Sequence, residues 1–112
     1  MEKLTALKCV PCRGDEEPLE ESQIQEYQKQ VPEWQVNYVD DVPRLERTFE
    51  FPDFQSALEF TNQVGEFAEE EDHHPLLTLT WGRVEVAWWT HVIDGLHKND
   101  FIMAAKTDQL AD

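Results

Sequence analysis

The feature that most constrains this chain is the way its hydrophobic period switches between that of a helix and that of a strand. Apolar residues recur at helical spacing after Pro18 and again after Asp53, which predicts a first helix at about residues 19 to 31 and a second at about 54 to 70. Asp53 can cap the second helix, because an Asp side chain accepts a hydrogen bond from backbone N–H groups at a helix start. Helical spacing resumes at Phe101 and predicts a third helix.

Two pairs of segments between these helices alternate apolar and polar residues, as strands with one buried face do. The first pair covers about residues 34 to 38 and 45 to 51, around a break at Asp40, Asp41 and Pro43. The second pair covers about residues 76 to 81 and 83 to 91, joined at Gly82. Each pair is expected to form two antiparallel strands.

The order αββαββα with short connections predicts an α+β fold, in which a four-stranded antiparallel sheet has helices packed on one face. The other face is left for a partner or a ligand. We expect a single domain over residues 1–112, because one hydrophobic core suffices for a chain of 112 residues. Residues 1–17 are expected to form an irregular N-terminal arm, since they mix Pro, Gly and charges without periodicity.

Charge and hydropathy exclude several classes of partner. The chain has 24 acidic and 9 basic residues and a formal net charge of −15, which repels phosphate backbones and anionic lipid headgroups. We therefore expect no nucleic-acid or membrane partner. No apolar run is long enough for a signal peptide or a membrane span, so a cytoplasmic protein is expected. The open edges of a small sheet invite pairing with a second subunit, which predicts a homodimer or homotetramer.

The two cysteines, Cys9 and Cys12, form an isolated CxxC. Such a pair could be half of a zinc site, a redox pair or inert thiols. A zinc site needs about four ligands, and the histidines lie far along the chain in a segment with its own pattern. We favour inert thiols.

The stretch most suggestive of chemistry is residues 69–75, in which four acidic residues run into His73 and His74. Histidine exchanges a proton near neutral pH, and nearby carboxylates together with a helix C-terminus favour its protonated form, as a general acid requires. The alternative is a solvated helix end with two surface histidines. Strand parity places His91 on the open face of the sheet, opposite Val84, Val86 and Trp88, where it could meet the other two histidines in one cleft.

These residues belong to a longer spaced pattern of an acid, His-His-Pro, an aromatic residue, a second histidine and a later Asp, supplied here by Glu69, His73, His74, Pro75, Trp81, His91 and Asp100. With this pattern, the chain over about residues 19 to 111 resembles the pterin-4a-carbinolamine dehydratases. The resemblance implies a hydro-lyase that removes water from a 4a-hydroxytetrahydropterin, leaves a quinonoid dihydropterin and so recycles the pterin cofactor of aromatic amino-acid hydroxylases. It implies no metal and no organic cofactor.

The resemblance also implies roles for individual residues. The catalytic set is His73, His74 and His91; His73 and His91 give and take protons, and His74 orients the pterin. The expected substrate-binding residues are Asp72, Glu69, Thr90 and Trp34. His97 stands where the family usually has Ser or Thr at the start of the last helix, so a capping side chain is expected to be missing there.

Two other classes of function are alternatives to catalysis by histidine alone. Three histidines and several carboxylates have the ligand chemistry for zinc or iron, although adjacent histidines rarely converge on one ion from regular structure. The fold could also serve as a non-catalytic dimerisation or assembly module. Retention of all three cleft histidines favours catalysis.

Overall fold

The structure is a computed structural model that describes residues 3–7 and 17–111. Within these residues the predicted order αββαββα is confirmed, and the fold class is α+β. The elements in chain order are α1 Glu21–Gln28, β1 Gln35–Val39, β2 Val42–Glu50, α2 Phe54–Glu71, β3 Leu76–Thr80, β4 Arg83–Trp88 and α3 Lys98–Ala111. Short 3-10 helices at Leu4–Ala6 and His91–Ile93 add to the predicted elements.

The four strands form one antiparallel sheet in the order β1-β2-β4-β3. β2 pairs on both sides, with Leu45 opposite Val36 of β1 and opposite Trp88 of β4. β3 pairs with the other side of β4, where Leu77 lies opposite Val86. The central strands are therefore β2 and β4, and the last strand of the sequence lies in the middle of the sheet.

The hairpin between β1 and β2 is tighter than predicted. Asp40 and Asp41 have positive φ angles of 52° and 66°, which suits a two-residue hairpin turn. Pairing resumes at Val42, so Pro43 lies within β2 and not in a break. Proline is tolerated there because the pairing of β2 with β4 begins only at Leu45, which leaves no ladder hydrogen bond for the missing N–H on that side.

The hydrophobic core lies between one face of the sheet and the helices. Val84, Val86 and Trp88 of β4 are buried, as the parity of the strand predicts, and α2 and α3 pack over them. The helices contribute buried side chains from Ala57, Phe60, Val64 and Ala68 of α2 and from Phe101, Ile102 and Ala105 of α3. Burying one large apolar side chain contributes about 1.5–3 kcal/mol. Burial of these side chains therefore holds both helices against β4.

Both ends of α2 are held by specific backbone hydrogen bonds. The predicted cap is confirmed, because the Asp53 carboxylate accepts from the Ser56 N–H at 2.7 Å. This backbone hydrogen bond from Ser56 lowers the pKa of Asp53, since it stabilises the carboxylate. At the other end Asp72 adopts a left-handed conformation and its N–H reaches the carbonyl groups of Ala68 and Glu69. The chain thereby turns out of the helix just before the two adjacent histidines.

The N-terminal part differs most from the prediction. α1 is shorter than expected, although Val31 beyond its end is still fully buried. Part of the predicted irregular arm forms a 3-10 helix, in which Leu4 is buried in the core and its backbone N–H donates to Gln30 Oε1 at 2.9 Å. Cys9 and Cys12 lie outside the described residues. Within the described residues, no helix is long and apolar enough to cross a membrane.

Candidate active site

Most of the predicted site residues lie at one end of the sheet, where β4 ends, β3 begins and α3 starts. β4 ends at Trp88, so the prediction that His91 lies on a strand is wrong; His91 opens the 3-10 helix His91–Ile93 and is exposed. The reason is that the chain turns back on itself beyond the strand, where the Thr90 N–H donates to the Gly95 carbonyl at 2.9 Å. This loop leads directly into α3.

Asp100, in the first turn of α3, is the centre of the hydrogen-bond network at this end. Its Oδ1 lies 2.6 Å from Nε2 of His73. Its Oδ2 accepts from the Thr90 hydroxyl at 2.8 Å and from the His97 backbone N–H at 2.9 Å. The Asp100 side chain has no exposed surface, and a buried carboxylate is tolerated only when its oxygens are satisfied in this way. The network thus ties the loop after α2 to the loop after β4.

His73 is fixed on two sides by this arrangement. Its side chain is 11% exposed, and its ring stacks on Trp88 with 5.7 Å between ring centroids and 6° between planes. Because Trp88 belongs to the helix-covered face, His73 does not lie on the open face of the sheet, where the predicted cleft would require it. A carboxylate can only accept, so Nε2 carries the proton and Nδ1 is the ring nitrogen left to exchange protons with a ligand.

His74 has a very different environment. Its side chain is 56% exposed, and its Nε2 lies 3.6 Å from Oε1 of Glu69, which is itself 80% exposed. The nearby Asp72 is exposed as well. Potential ligand atoms of Glu69, Asp72 and His74 lie within 4.8 Å of one another, so these three residues have the donors for a divalent cation. Within the described residues, His73 and His91 do not join that group.

His91 lies against a different set of side chains. Its ring contacts the Trp89 ring with 4.5 Å between centroids. The Arg44 guanidinium lies over the same Trp89 ring, 4.1 Å from its centroid. Among the described residues, no hydrogen bond or ring contact joins His91 to His73. The connection runs through Thr90, which precedes His91 in the chain and shares the Asp100 carboxylate with His73. The alternation of polar and apolar residues could not have indicated Arg44.

Trp34 lies elsewhere. It is fully buried, its Nε1 donates to Asp108 Oδ1 at 2.9 Å, and its ring meets the edge of Phe49 at 6.0 Å between centroids. Arg47 reaches the same Asp108 oxygen at 2.6 Å. These contacts tie the start of β1 to α3 and leave no Trp34 surface open to a ligand, so the expectation that Trp34 binds the substrate finds no support in this geometry.

The start of α3 also differs from expectation, because His97 does cap it. His97 Nδ1 accepts from the Asn99 N–H at 3.0 Å, and the Asp100 carboxylate accepts from the His97 N–H. The Asp100 side chain thus makes the return bond of a capping box, whereas the His97 side chain accepts from the second residue of the helix and not from the third. A neutral imidazole nitrogen is an acceptor, so His97 replaces the hydroxyl that the resemblance led us to expect.

Comparisons with known proteins give a family match over most of the chain. The family model described as pterin 4 alpha carbinolamine dehydratase matches residues 17–110. The chain is 51% identical over 110 residues to a protein of Nitrosococcus oceani, covering 98% of this chain and 97% of the relative. It is 52% identical to a protein of Chlorobium limicola with the same coverage of both chains. Both relatives are named provisionally as a pterin-4-alpha-carbinolamine dehydratase.

Two solved structures of proteins described as a pterin dehydratase or as pterin dehydratase-like have a similar fold. A transcriptional coactivator/pterin dehydratase from Brucella melitensis superposes with a TM-score of 0.77 at 35% identity, covering 85% of this chain and 99% of the other. A pterin dehydratase-like protein identified as a RuBisCO assembly factor in the alpha-carboxysome superposes with a TM-score of 0.60 at 20% identity, covering 70% and 88%. The second likeness concerns the fold alone.

Proposed function

The chain belongs to the pterin 4 alpha carbinolamine dehydratase family, and on that premise we propose that it removes water from a 4a-hydroxytetrahydropterin by general acid and base catalysis. In this reaction the C4a–oxygen bond breaks, one proton joins the leaving hydroxyl to make water, and another proton leaves a ring nitrogen. The product is a quinonoid dihydropterin, which returns to the cofactor cycle of aromatic amino-acid hydroxylases. Proton transfers of this kind suit histidine.

The observation that carries the proposal is the buried Asp100–His73 pair. A carboxylate at Nε2 fixes the ring in one orientation and stabilises it whenever Nδ1 gains a proton, so the ring can take up and return a proton without moving. Trp88 stacking restricts the same ring further. An assembly or docking role would not require a buried carboxylate behind a histidine, and catalysis is therefore the function that this geometry supports best.

For the remaining roles we propose those that the resemblance implies. His73 and His91 act as proton donor and acceptor at the two faces of the pterin. His74 orients the ring, and the exposed carboxylates beside it, Glu69 and Asp72, accept hydrogen bonds from pterin N–H groups. Thr90 donates its hydroxyl proton to Asp100, so it supports the histidine network and does not need to touch the substrate.

We also propose that the chain works as a homodimer or homotetramer. β1 and β3 are the outer strands of the sheet, and an open strand edge can pair with a second copy. Light scattering at micromolar protein concentration should give a mass of two or four chains, whereas a monomeric mass would contradict this part of the proposal.

The central test is an assay of 4a-carbinolamine dehydration with protein purified without a nickel column. We expect acceleration of the reaction with no added metal and an unchanged rate after treatment with a chelator, because the proposed proton transfers need only side chains. Glu70→Gln, which changes one exposed carboxylate outside the network, is the control variant. A rate no higher than the uncatalysed one, or a strong loss on chelation, would refute the proposal.

A further inference from the structure

We infer that His97 is a positioning residue of the dehydratase site, which holds Asp100, and through it His73, by capping the first turn of α3. The inference rests on the proposed function for its kinetic consequences, and its geometric part stands independently. His97 lies three residues before Asp100, so a change at residue 97 alters the backbone that carries the buried carboxylate. The capping side chain thereby becomes part of the support of the site.

Residues 97 and 100 hold one another in both directions. The imidazole Nδ1 accepts from the Asn99 N–H at 3.0 Å, and the Asp100 N–H donates to the His97 carbonyl at 3.0 Å. In return, Asp100 Oδ2 accepts from the His97 N–H at 2.9 Å. The first turn of α3 is therefore held by two hydrogen bonds from backbone N–H groups to side chains and by one between backbone groups.

The carboxylate orientation depends on that closure. Oδ2 is held by Thr90 and by the His97 N–H, which leaves Oδ1 directed at His73. If the turn opens, Oδ2 loses one of two partners, and the fully buried side chain has no bulk water beside it to replace that partner. Rotation of the carboxylate about its remaining bonds then lengthens or breaks the contact with His73 Nε2.

The backbone just before His97 is anchored by contacts that do not involve the His97 side chain. The Leu19 N–H donates to the Leu96 carbonyl at 2.8 Å. Gly95 packs against Pro18 so closely that a Cβ at this glycine would lie 2.8 Å from the Pro18 Cβ. Loss of the His97 side chain should therefore open the first turn of α3 and leave the preceding loop in place.

The experiment compares wild type with His97→Ala, His97→Gly and His97→Ser. Alanine and glycine remove the side-chain acceptor, and glycine at an N-cap costs little helix stability, so it keeps the test possible if the alanine variant does not fold. Serine restores an acceptor of different chemistry. Asp53→Ala is the matched control, because it removes the cap of α2 and leaves α3 unchanged.

Two measurements are made on each protein: kcat and KM for dehydration, and the NMR resonance of the His73 Nε2–H proton in histidine-labelled protein. We expect His97→Ala and His97→Gly to lower kcat by about tenfold, as loss of an outer supporting contact commonly does, with KM little changed. The His73 proton resonance should move toward that of an imidazole without a carboxylate partner. Serine should restore both readouts, and Asp53→Ala should leave both unchanged.

The outcomes separate this inference from the proposed function. A His73 resonance that stays in place in both acceptor-free variants overturns the inference, whether or not kcat falls, because the effect would then not pass through Asp100. Loss of the resonance in both variants with no rescue by serine also overturns it. If wild type lacks dehydratase activity, the proposed function fails, while the resonance still decides whether His97 positions His73.

Discussion

His73 and His74 are neighbours in the chain, yet their environments are opposite. His73 is 11% exposed and is held between the Trp88 ring and the Asp100 carboxylate. His74 is 56% exposed, and its Nε2 lies 3.6 Å from Oε1 of Glu69, which is itself 80% exposed. Both follow Asp72, the left-handed residue at which the chain leaves α2, and His73 then faces α3 whereas His74 faces solvent. Adjacency in sequence therefore predicts neither burial nor chemical role.

The difference also lies in where the carboxylates come from. The partner of His74 belongs to the acidic run of α2, which is local in sequence. The partner of His73 is Asp100, which lies 27 residues further along the chain at the start of another helix. A buried contact of this kind is less screened by solvent than an exposed one, so the distant carboxylate should dominate the behaviour of the site.

The largest effect should come from replacing the buried histidine. We expect His73→Ala and the exposed His91→Ala each to lower kcat by about 10²–10⁴-fold, the usual contribution of a general acid or base. His74→Ala should mainly raise KM, because a residue that orients the substrate contributes binding that the ground state and transition state share. Steady-state kinetics on the three variants measures this split. Unchanged kcat in both of the first two would contradict the role assignment.

Asp100→Asn should have the next largest effect. The amide keeps the size of the side chain but carries no charge. Its NH₂ group replaces one carboxylate oxygen and so faces a group that now donates to Asp100, which disturbs the network around His73. We expect kcat to fall by about 10–100-fold and the free energy of unfolding to fall by about 1–3 kcal/mol. Denaturant unfolding and kinetics provide the measurements. Asp41→Asn is the matched control, since that carboxylate is exposed and lies in the turn between β1 and β2.

Replacing Asp53, which caps α2, should change the stability of the fold and leave kcat unchanged. Hydrogen bonding from Ser56 lowers the pKa of Asp53 in the folded state, so its contribution to stability is present above its unfolded pKa and is lost as pH falls through the folded pKa. Asp53→Asn should therefore lower the melting temperature slightly at neutral pH, with the difference shrinking in acid, while kcat stays the same. A difference that grew in acid would contradict this sign.

Local periodicity predicted what depends on neighbours along the chain. The order of the elements, the cap at Asp53 and the buried face of Val84, Val86 and Trp88 all follow from spacing, because side-chain direction alternates along a strand and recurs along a helix. These features required no knowledge of tertiary contacts.

Features set by tertiary contacts were not predictable in this way. His91 leaves the strand because the loop after β4 folds back to Gly95, and Trp34 is buried against α3. Asp100 belonged to the spaced pattern, but nothing local indicated that it faces His73. An acidic residue in the first turn of a helix is common, so the position of Asp100 did not indicate its partner.

The smallest effect on kcat should come from replacing the acidic residues 69–71 at the end of α2. From the sequence alone, residues 69–72 are expected to favour a protonated His73. In the structure Glu69 lies beside His74, and Glu71 lies 3.6 Å from Lys106 of α3, while His73 contacts Asp100. The Glu69–His74 pair is exposed, and such pairs contribute at most about 1 kcal/mol and are screened by salt. The Glu71–Lys106 pair is partly buried, with side chains 24% and 18% exposed, but it does not include His73.

We therefore expect Glu69→Gln, Glu70→Gln and Glu71→Gln together to leave kcat within about twofold of wild type, because neither ion pair that they remove includes His73 and the Glu69 pair is exposed and weak. KM should rise modestly, because Glu69 lies beside the residue that orients the pterin. The alkaline limb of the kcat/KM profile should stay in place at low and at moderate salt. A limb that moves to lower pH in the triple variant at low salt, and returns with added salt, would show that the exposed run acts on His73 through space. Both the buried Asp100 and the exposed carboxylates would then influence His73, and the environments of His73 and His74 would differ less than their burial indicates.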